Sequence, residues 1–334
     1  MSPLVEPIAS GITAIPEIAV IVPCYNEEDN VCQIHSAIRA ELQGHASSWE
    51  IIFIDNASTD ETRNLLRQIC AADLNTRAIF NTRNFGQMRS PTYAIYQAEG
   101  AAVIAMGADF QDPPSLIPKL IAQWRAGAQV VMGQRRSERA SLPTRLSRWV
   151  GYQLLGRWAD YPVIPGATGF GLYDRAVVDA LAAWHEPEPF FRGMVVESGY
   201  RVALIPFDRP ERERGTTKND FKTLLDFALS SIAGSAKSLL RIPMILSVYV
   251  GIAAVLLLLA VPLAAYATDG VAWPILLVGI ITAFQAILML FVGMLGEQVR
   301  VISERTRNVP LVLEQERLNF PNARQQPALR TAVN

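Results

Sequence analysis

The stretch "VIAMGADFQDPP", Val103 to Pro114, holds the residues best placed for chemistry. An apolar run, Val103–Met106, leads into a turn that carries two carboxylates, Asp109 and Asp112, and ends in a double proline. In an α/β sheet the end of a strand, ahead of the next helix, is where ligands bind and a metal-bound phosphate sits. Hard divalent cations prefer oxygen ligands. At nucleotide sites Mg2+ is often held by one or two carboxylates, with phosphates and waters completing the shell. The position two before Asp109, where a second carboxylate would complete a clamp, is Gly107. The plain alternative is a capping turn without chemistry, and Asp112 with Pro113, Pro114 and Ser115 does suit a helix start.

The elements that would position this turn are legible as alternating patterns. Apolar runs at 18–23, 49–55, 77–81, 101–106 and 128–133 predict strands, and amphipathic stretches at 27–42 and 58–70 predict helices between them. Strand–helix alternation with short loops predicts an α/β fold with a doubly wound, mostly parallel sheet. The polar motifs fall at strand ends: "PCYNEE" after the first, "DNASTD" after the second, "GADFQD" after the fourth. No GxGxxG follows the first strand, which disfavours a dinucleotide-binding oxidoreductase. A net charge of −1 leaves no global basic field, so no nucleic-acid partner is expected. The three cysteines, Cys24, Cys32 and Cys70, lack metal-ligand spacing and read as reduced thiols. Residues 1–17 have no basic or apolar leader character and read as a loose arm.

The second half changes character. From Ile242 to Gly296 the only charged residue is Asp269. Two apolar runs, about 243–267 and 271–296, are each long enough to cross the ~30 Å hydrocarbon core as a helix, and "ATDG" between them makes a hairpin. Lys237 and Arg241 precede it; Arg300, Arg305 and Arg307 follow it. The positive-inside rule then predicts an integral membrane protein with two transmembrane helices and both termini cytoplasmic. A basic amphipathic helix at 221–241 leads into the hairpin. A second segment, 142–158, mixes Arg145, Arg148 and Arg157 with Trp149, Tyr152 and Trp158, as suits a helix lying on an anionic leaflet. Residues 297–334 read as a charged cytoplasmic segment.

The ordered set "VPCYNEE", "IDNASTDET", "RNFGQ", "ADFQDPPSLIPKL", "GFGLYDRAVV" and "RPERERGTTK", followed by the hairpin, resembles the polyprenyl-phosphate glycosyltransferases of family 2. The resemblance runs from about Ile18 to Leu318. It implies a cytoplasmic GT-A (Rossmann-like) domain over 18–220 and inverting transfer of a sugar from a UDP- or GDP-sugar to polyprenyl phosphate, giving a lipid-linked monosaccharide. By the same resemblance Pro23, Tyr25 and Glu27 form the nucleoside loop. Asp55 and Asn56 replace an aspartate pair, with Asn56 where the base is often read. Gly107-Ala108-Asp109 stands for the metal-binding DxD, so that Asp109, with Gln111, would hold Mg2+ or Mn2+. Arg135 would touch the diphosphate. Arg209, Arg212 and Lys218 would bind phosphate charge, with Asp109, Arg212 and Lys218 the residues that carry catalysis.

The sequence departs from the family pattern at Asn56, Gly107, Gly169 and Gly171. Gly169 replaces an aspartate sometimes taken as a base, and Gly171 replaces an arginine. A weak or inactive relative that only binds nucleotide sugar or lipid phosphate is the first alternative. A processive polysaccharide synthase is the second, and it would need more membrane helices and a Gln-x-x-Arg-Trp-type motif. The sugar, the base, the prenyl length and assembly into a homo-oligomer are left open.

Overall fold

A computed structural model describes residues 15–136, 164–208, 249, 273–306 and 309–320. The elements run β1 (Ile18–Cys24), α1 (Val31–His45), β2 (Trp49–Asp55), α2 (Thr62–Ala72), β3 (Thr76–Asn81), α3 (Gly86–Gln97) and β4 (Ala102–Ala105). A 3-10 turn at Pro114–Leu116 opens α4 (Ile117–Arg125). Then follow β5 (Val130–Arg135), β6 (Ala167–Asp174), α5 (Arg175–Ala182), α6 (Phe191–Glu197), β7 (Val202–Phe207), α7 (Trp273–Thr306) and β8 (Glu314–Leu318).

The strands form one eight-stranded sheet in the order β7-β5-β6-β4-β1-β2-β3-β8. Its centre is built as the sequence dictates. β1 is a continuous apolar run because both of its faces are covered. Ile18, Val20 and Val22 join one buried cluster, while Ala19 and Ile21 join the other. The first cluster is closed by the buried stripe of α1, Val31, Ile34, Ile38 and Leu42, at helical spacing.

The expectation of a mostly parallel sheet holds for the run β4-β1-β2-β3 and for the pair β5 and β7. β1 pairs in parallel with β2 and β4, β2 with β3, and β5 with β7. The sheet as a whole is mixed, because β6 runs antiparallel to β4 and β5, and β8 antiparallel to β3. β8 comes from the segment read as a charged tail. The arm also differs from its expectation at its inner end. Glu17 accepts hydrogen bonds from the Ser47 backbone N–H (2.8 Å) and from Arg125 (2.6 Å).

The sheet forms one compact unit, to which the chain returns after α7; α7 belongs to a second unit. Among the residues described, no helix is long and apolar enough to cross a membrane. Of the first expected span, 243–267, only Tyr249 is among them, and the expected interfacial segments 142–158 and 221–241 lie outside them.

Candidate active site

Strand direction gathers the candidate residues on one edge of the sheet. β1, β2, β3, β4, β5 and β7 all end there, and the two antiparallel strands begin there.

The loops after β1 and β2 are stapled to each other. The Asn26 N–H donates to Ser58 Oγ (2.8 Å), and Asn26 Oδ1 accepts from the Thr59 N–H (2.8 Å). The Glu27 N–H donates to Thr62 Oγ1 (2.9 Å). Asp60 accepts from the Glu28 N–H (3.3 Å) and the Thr62 N–H (3.1 Å), so its helix-start role also links the loops. Asn26 and Ala57 sit at φ 54° and 64°, in the left-handed region that residues with a Cβ rarely adopt. Tyr25 is 37% exposed on this edge. The Glu27 carboxylate accepts from Asn30 Nδ2 (2.7 Å). Pro23 is the penultimate residue of β1 and is partly buried.

Asp55 and Asn56 both turn inward. Asp55 is fully buried, accepts from the Ser58 N–H (3.2 Å) and is ion-paired with Arg63 Nε at 2.7 Å. Arg63 continues the link, donating to the Asn81 carbonyl (2.7 Å) and to Gln315 Oε1 on β8 (3.0 Å). Asn56 is 8% exposed, and its amide bonds to Asn81, Asn84, Phe85 and Gly86.

The turn after β4 holds the acidic pair. Asp109 Oδ1 accepts from the Gln111 N–H (3.2 Å), and Asp112 Oδ2 accepts from the Gly107 N–H (3.0 Å). A Cβ added to Gly107 would stand 3.2 Å from Asp109 Oδ1 and 3.4 Å from Asp112 Oδ2. The two carboxylates therefore flank the space that the missing DxD side chain leaves. Two hard oxygen donors at one point fit a divalent cation whose remaining ligands are phosphate and water. Asp112 is thus drawn into the turn that the sequence assigned to Asp109 and Gln111. Phe110 between them sits at φ 57°, with its ring packed against the core. Ala108 is buried in that core. No group of three or more His, Cys, Asp or Glu residues that could hold a metal occurs among the described residues.

The remaining departures differ in kind. Gly169 is open, with no atom within 4 Å of an added Cβ. Gly171 is not, because a Cβ would meet the Val131 carbonyl oxygen at 2.5 Å; the close pairing of β5 and β6 admits only glycine there. Asp174 caps α5, accepting from the Ala176 N–H, and also takes the Trp124 indole N–H at 2.8 Å. Arg135 ends β5 on the same edge. Arg209, Arg212 and Lys218 lie outside the described residues. The three cysteines are free thiols, and burial pushes Cys70 up to about 12, which keeps it protonated and inert.

The family model for glycosyl transferase family 2 matches residues 19–181, which spans β1 to α5 with both stapled loops and the acidic turn. An uncharacterized glycosyltransferase of Synechocystis is 33% identical over 217 residues, 65% of this chain and 68% of its own. The chain belongs to glycosyltransferase family 2. An uncharacterized glycosyltransferase of Bacillus subtilis is 27% identical over 309 residues, 92% of this chain and 95% of its own. A bactoprenol glucosyl transferase of Shigella phage SfX is 26% identical over 305 residues, 90% and 99%. For this family 2 enzyme the mixed eight-stranded sheet is a GT-A-like α/β fold. The family read from the motifs is therefore borne out.

Sequence reasoning missed Asn84 and Arg63, which hold site residues without carrying a site signature of their own. "RNFGQ" was visible as a motif, but its bonds to Asn56 depend on the adjacency of β2 and β3.

Proposed function

We propose that this enzyme transfers a sugar from a nucleotide sugar to polyprenyl phosphate at a membrane, with inversion. The observation that carries the reading is the pair Asp109 and Asp112 flanking Gly107 at the end of β4. The pair supports a reading in which a cation on the donor diphosphate would be held at the edge where an α/β sheet binds ligands. The acceptor rests on the motif set and on relatives named bactoprenol glucosyl transferases.

In this reading an oxygen of the lipid phosphate attacks the anomeric carbon. The bond from that carbon to the diphosphate breaks, and its electron pair leaves with the nucleoside diphosphate. Mg2+ or Mn2+ held by Asp109 and Asp112 would supply charge neutralisation on the leaving diphosphate. Arg209, Arg212 and Lys218 supply further positive charge, arginine gripping phosphate oxygens bidentately and lysine acting as a point charge. A phosphate monoester has its second pKa near ~6, so the acceptor is already largely an oxyanion at neutral pH. No general base is required, and the glycine at 169 costs positioning rather than proton transfer.

The membrane hairpin belongs to the same proposal. α7 runs 34 residues. Leu277, Ile281, Phe284, Leu288, Val292 and Leu295 recur along it three or four apart, each about half exposed. That spacing makes one apolar face, suited to lipid contact.

The test is incubation of the purified chain with UDP- and GDP-sugars and undecaprenyl phosphate, with the lipid product identified by mass. A glycosyl-phosphoprenol product is expected. Nucleotide binding without any product would make the chain a binding-only relative and sink the transferase reading.

A further inference from the structure

We infer that Asn56 is a positioning residue for the donor nucleotide, one that holds the loop after β3 and does not itself read the base; the inference rests on the nucleotide-sugar reading above. Its side-chain amide has four hydrogen-bonding positions, two on each atom. Oδ1 accepts from the Phe85 backbone N–H (2.9 Å) and from Asn81 Nδ2 (3.2 Å). Nδ2 donates to Asn84 Oδ1 (2.7 Å) and to the Gly86 carbonyl (3.4 Å). Backbone groups fix which atom is which, since an N–H must face the oxygen and a carbonyl the nitrogen. All four positions are spent inside the protein, which leaves none for a base.

The bonds all lead to one place. Asn81, fully buried at the end of β3, lies beneath, and its Nδ2 also donates to Ser90 Oγ on α3 (3.0 Å). Above it, Asn84 Oδ1 accepts from the Gly86 N–H at 2.8 Å and closes the turn into α3. Gly86 stands at φ 87°, a conformation that depends on glycine. Arg83 lays its guanidinium over the Phe85 ring at 4.1 Å, so Asn56, by fixing Phe85, also fixes where that cation stands. The loop is exposed at Arg83, Asn84 and Gly86, on the ligand-binding edge of the sheet. An aspartate at 56, the family's usual residue, would keep the two accepted bonds. It would also place an oxygen against Asn84 Oδ1 and the Gly86 carbonyl, converting two attractions into repulsions.

The experiment uses the full chain in detergent. Calorimetry measures affinity for UDP and GDP, kinetics separate kcat from donor KM, and hydrogen exchange follows the Phe85 and Gly86 amides in Asn56→Asp and Asn84→Ala. Asn84 is exposed, so its truncation tests the same loop without disturbing the buried side. Positioning predicts about tenfold weaker binding of the preferred nucleotide in Asn56→Asp, as for a buried group left unpaired. It also predicts faster exchange at both amides, a kcat at saturating donor within about threefold of wild type, and a weaker change of the same kind in Asn84→Ala. A reversed preference between UDP and GDP in Asn56→Asp would show direct base reading and overturn the inference. Unchanged affinity and exchange in both variants would also overturn it. A wild type that binds neither nucleotide would bring down the donor reading first, and this inference with it.

Discussion

The same two strands end in buried polar clusters at both edges of the sheet, and the two clusters are built differently. At the amino edge Glu50 of β2 and Arg77 of β3 are 0% and 1% exposed and paired at 2.7 Å. Glu50 Oε1 also accepts from the Glu99 and Gly100 N–H groups, and the Phe320 ring lies under the Arg77 guanidinium at 5.2 Å. Every bond there ends in strand, turn or covering ring. At the carboxyl edge Asp55 and Asn81 of the same strands start chains of bonds that run outward, to Thr59, Asn84 and Gly86 on exposed loops. Left-handed conformations occur at both edges: Asn26, Ala57 and Phe110 at the carboxyl edge, and Asn319, next to the covering Phe320, at the amino edge. Burial of charge is common to both clusters. What separates a site from a staple is where the network terminates.

Two variants, one at each edge, are expected to have opposite consequences. Asp109→Ala removes a carboxylate on which charge stabilisation depends. Transfer is expected to fall by about 100- to 1,000-fold, the usual cost of removing a preorganised electrostatic group, with the unfolding midpoint unchanged. Glu50→Ala leaves Arg77 buried without its main partner and is expected to cost about 3–5 kcal/mol of stability, read by denaturant or thermal unfolding. Turnover per folded molecule should stay at the wild-type value. If Asp109→Ala retains activity the acidic turn is a capping turn, and if Glu50→Ala loses activity without losing stability the two edges are not functionally distinct.

How much of this contrast the sequence shows depends on the kind of signal. The five apolar runs that predicted strands all fall on strands, because a central parallel strand must be apolar on both faces. β6 went unread because Gly169 and Gly171 interrupt its pattern, although the close pairing with β5 is what requires the second glycine. β8, "EQERL", has no apolar alternation at all; it is recruited by pairing with the open edge of β3 and by side chains on α2. The candidate site was legible as residue types at strand ends. Its internal wiring was not, since Asn56 and Asn84 meet only once β2 and β3 lie side by side. A design consequence follows for the membrane proposal. Ending the chain near residue 220 would delete a strand of the sheet, so removal of 242–296 must retain 310–320.

A finer test concerns the space at Gly107. Its backbone is outside the left-handed region, so an aspartate is conformationally allowed. The added Cβ would stand 3.2 Å from Asp109 Oδ1, close enough that the carboxylate must shift by a few tenths of an ångström. Since ligand charge is one control on affinity for hard cations, Gly107→Asp is expected to lower the Mg2+ concentration for half-maximal activity several-fold. Asp112→Asn should raise it. A metal titration in which neither variant moves would show that the two carboxylates flanking Gly107 do not share a cation.

The smallest effect belongs to the charges on the outermost strand. Arg67 pairs with Glu316 of β8 at 2.7 Å, with about 41% and 34% of the two side chains exposed. The hydrogen bond from Arg67 holds the Glu316 carboxyl below its ordinary 4.5. A carboxylate depressed on folding stabilises the fold above its unfolded pKa, and that contribution is lost as pH falls through the lower folded value. Exposure and screening limit it to less than ~1 kcal/mol. Arg67→Ala should therefore lower the unfolding midpoint slightly at pH 7, less at 0.5 M salt, and not at all once both carboxyl states are protonated. Glu50 has the opposite sign, because burial raises its carboxyl against the pull of Arg77. Its contribution to stability declines as pH rises from 4.5 through that raised value. The two ion pairs are thus expected to respond to acid in opposite directions. If Arg67→Ala instead costs several kcal/mol at every pH, then β8 is held by its side chains rather than by its backbone ladder to Ala78, Ile79 and Phe80.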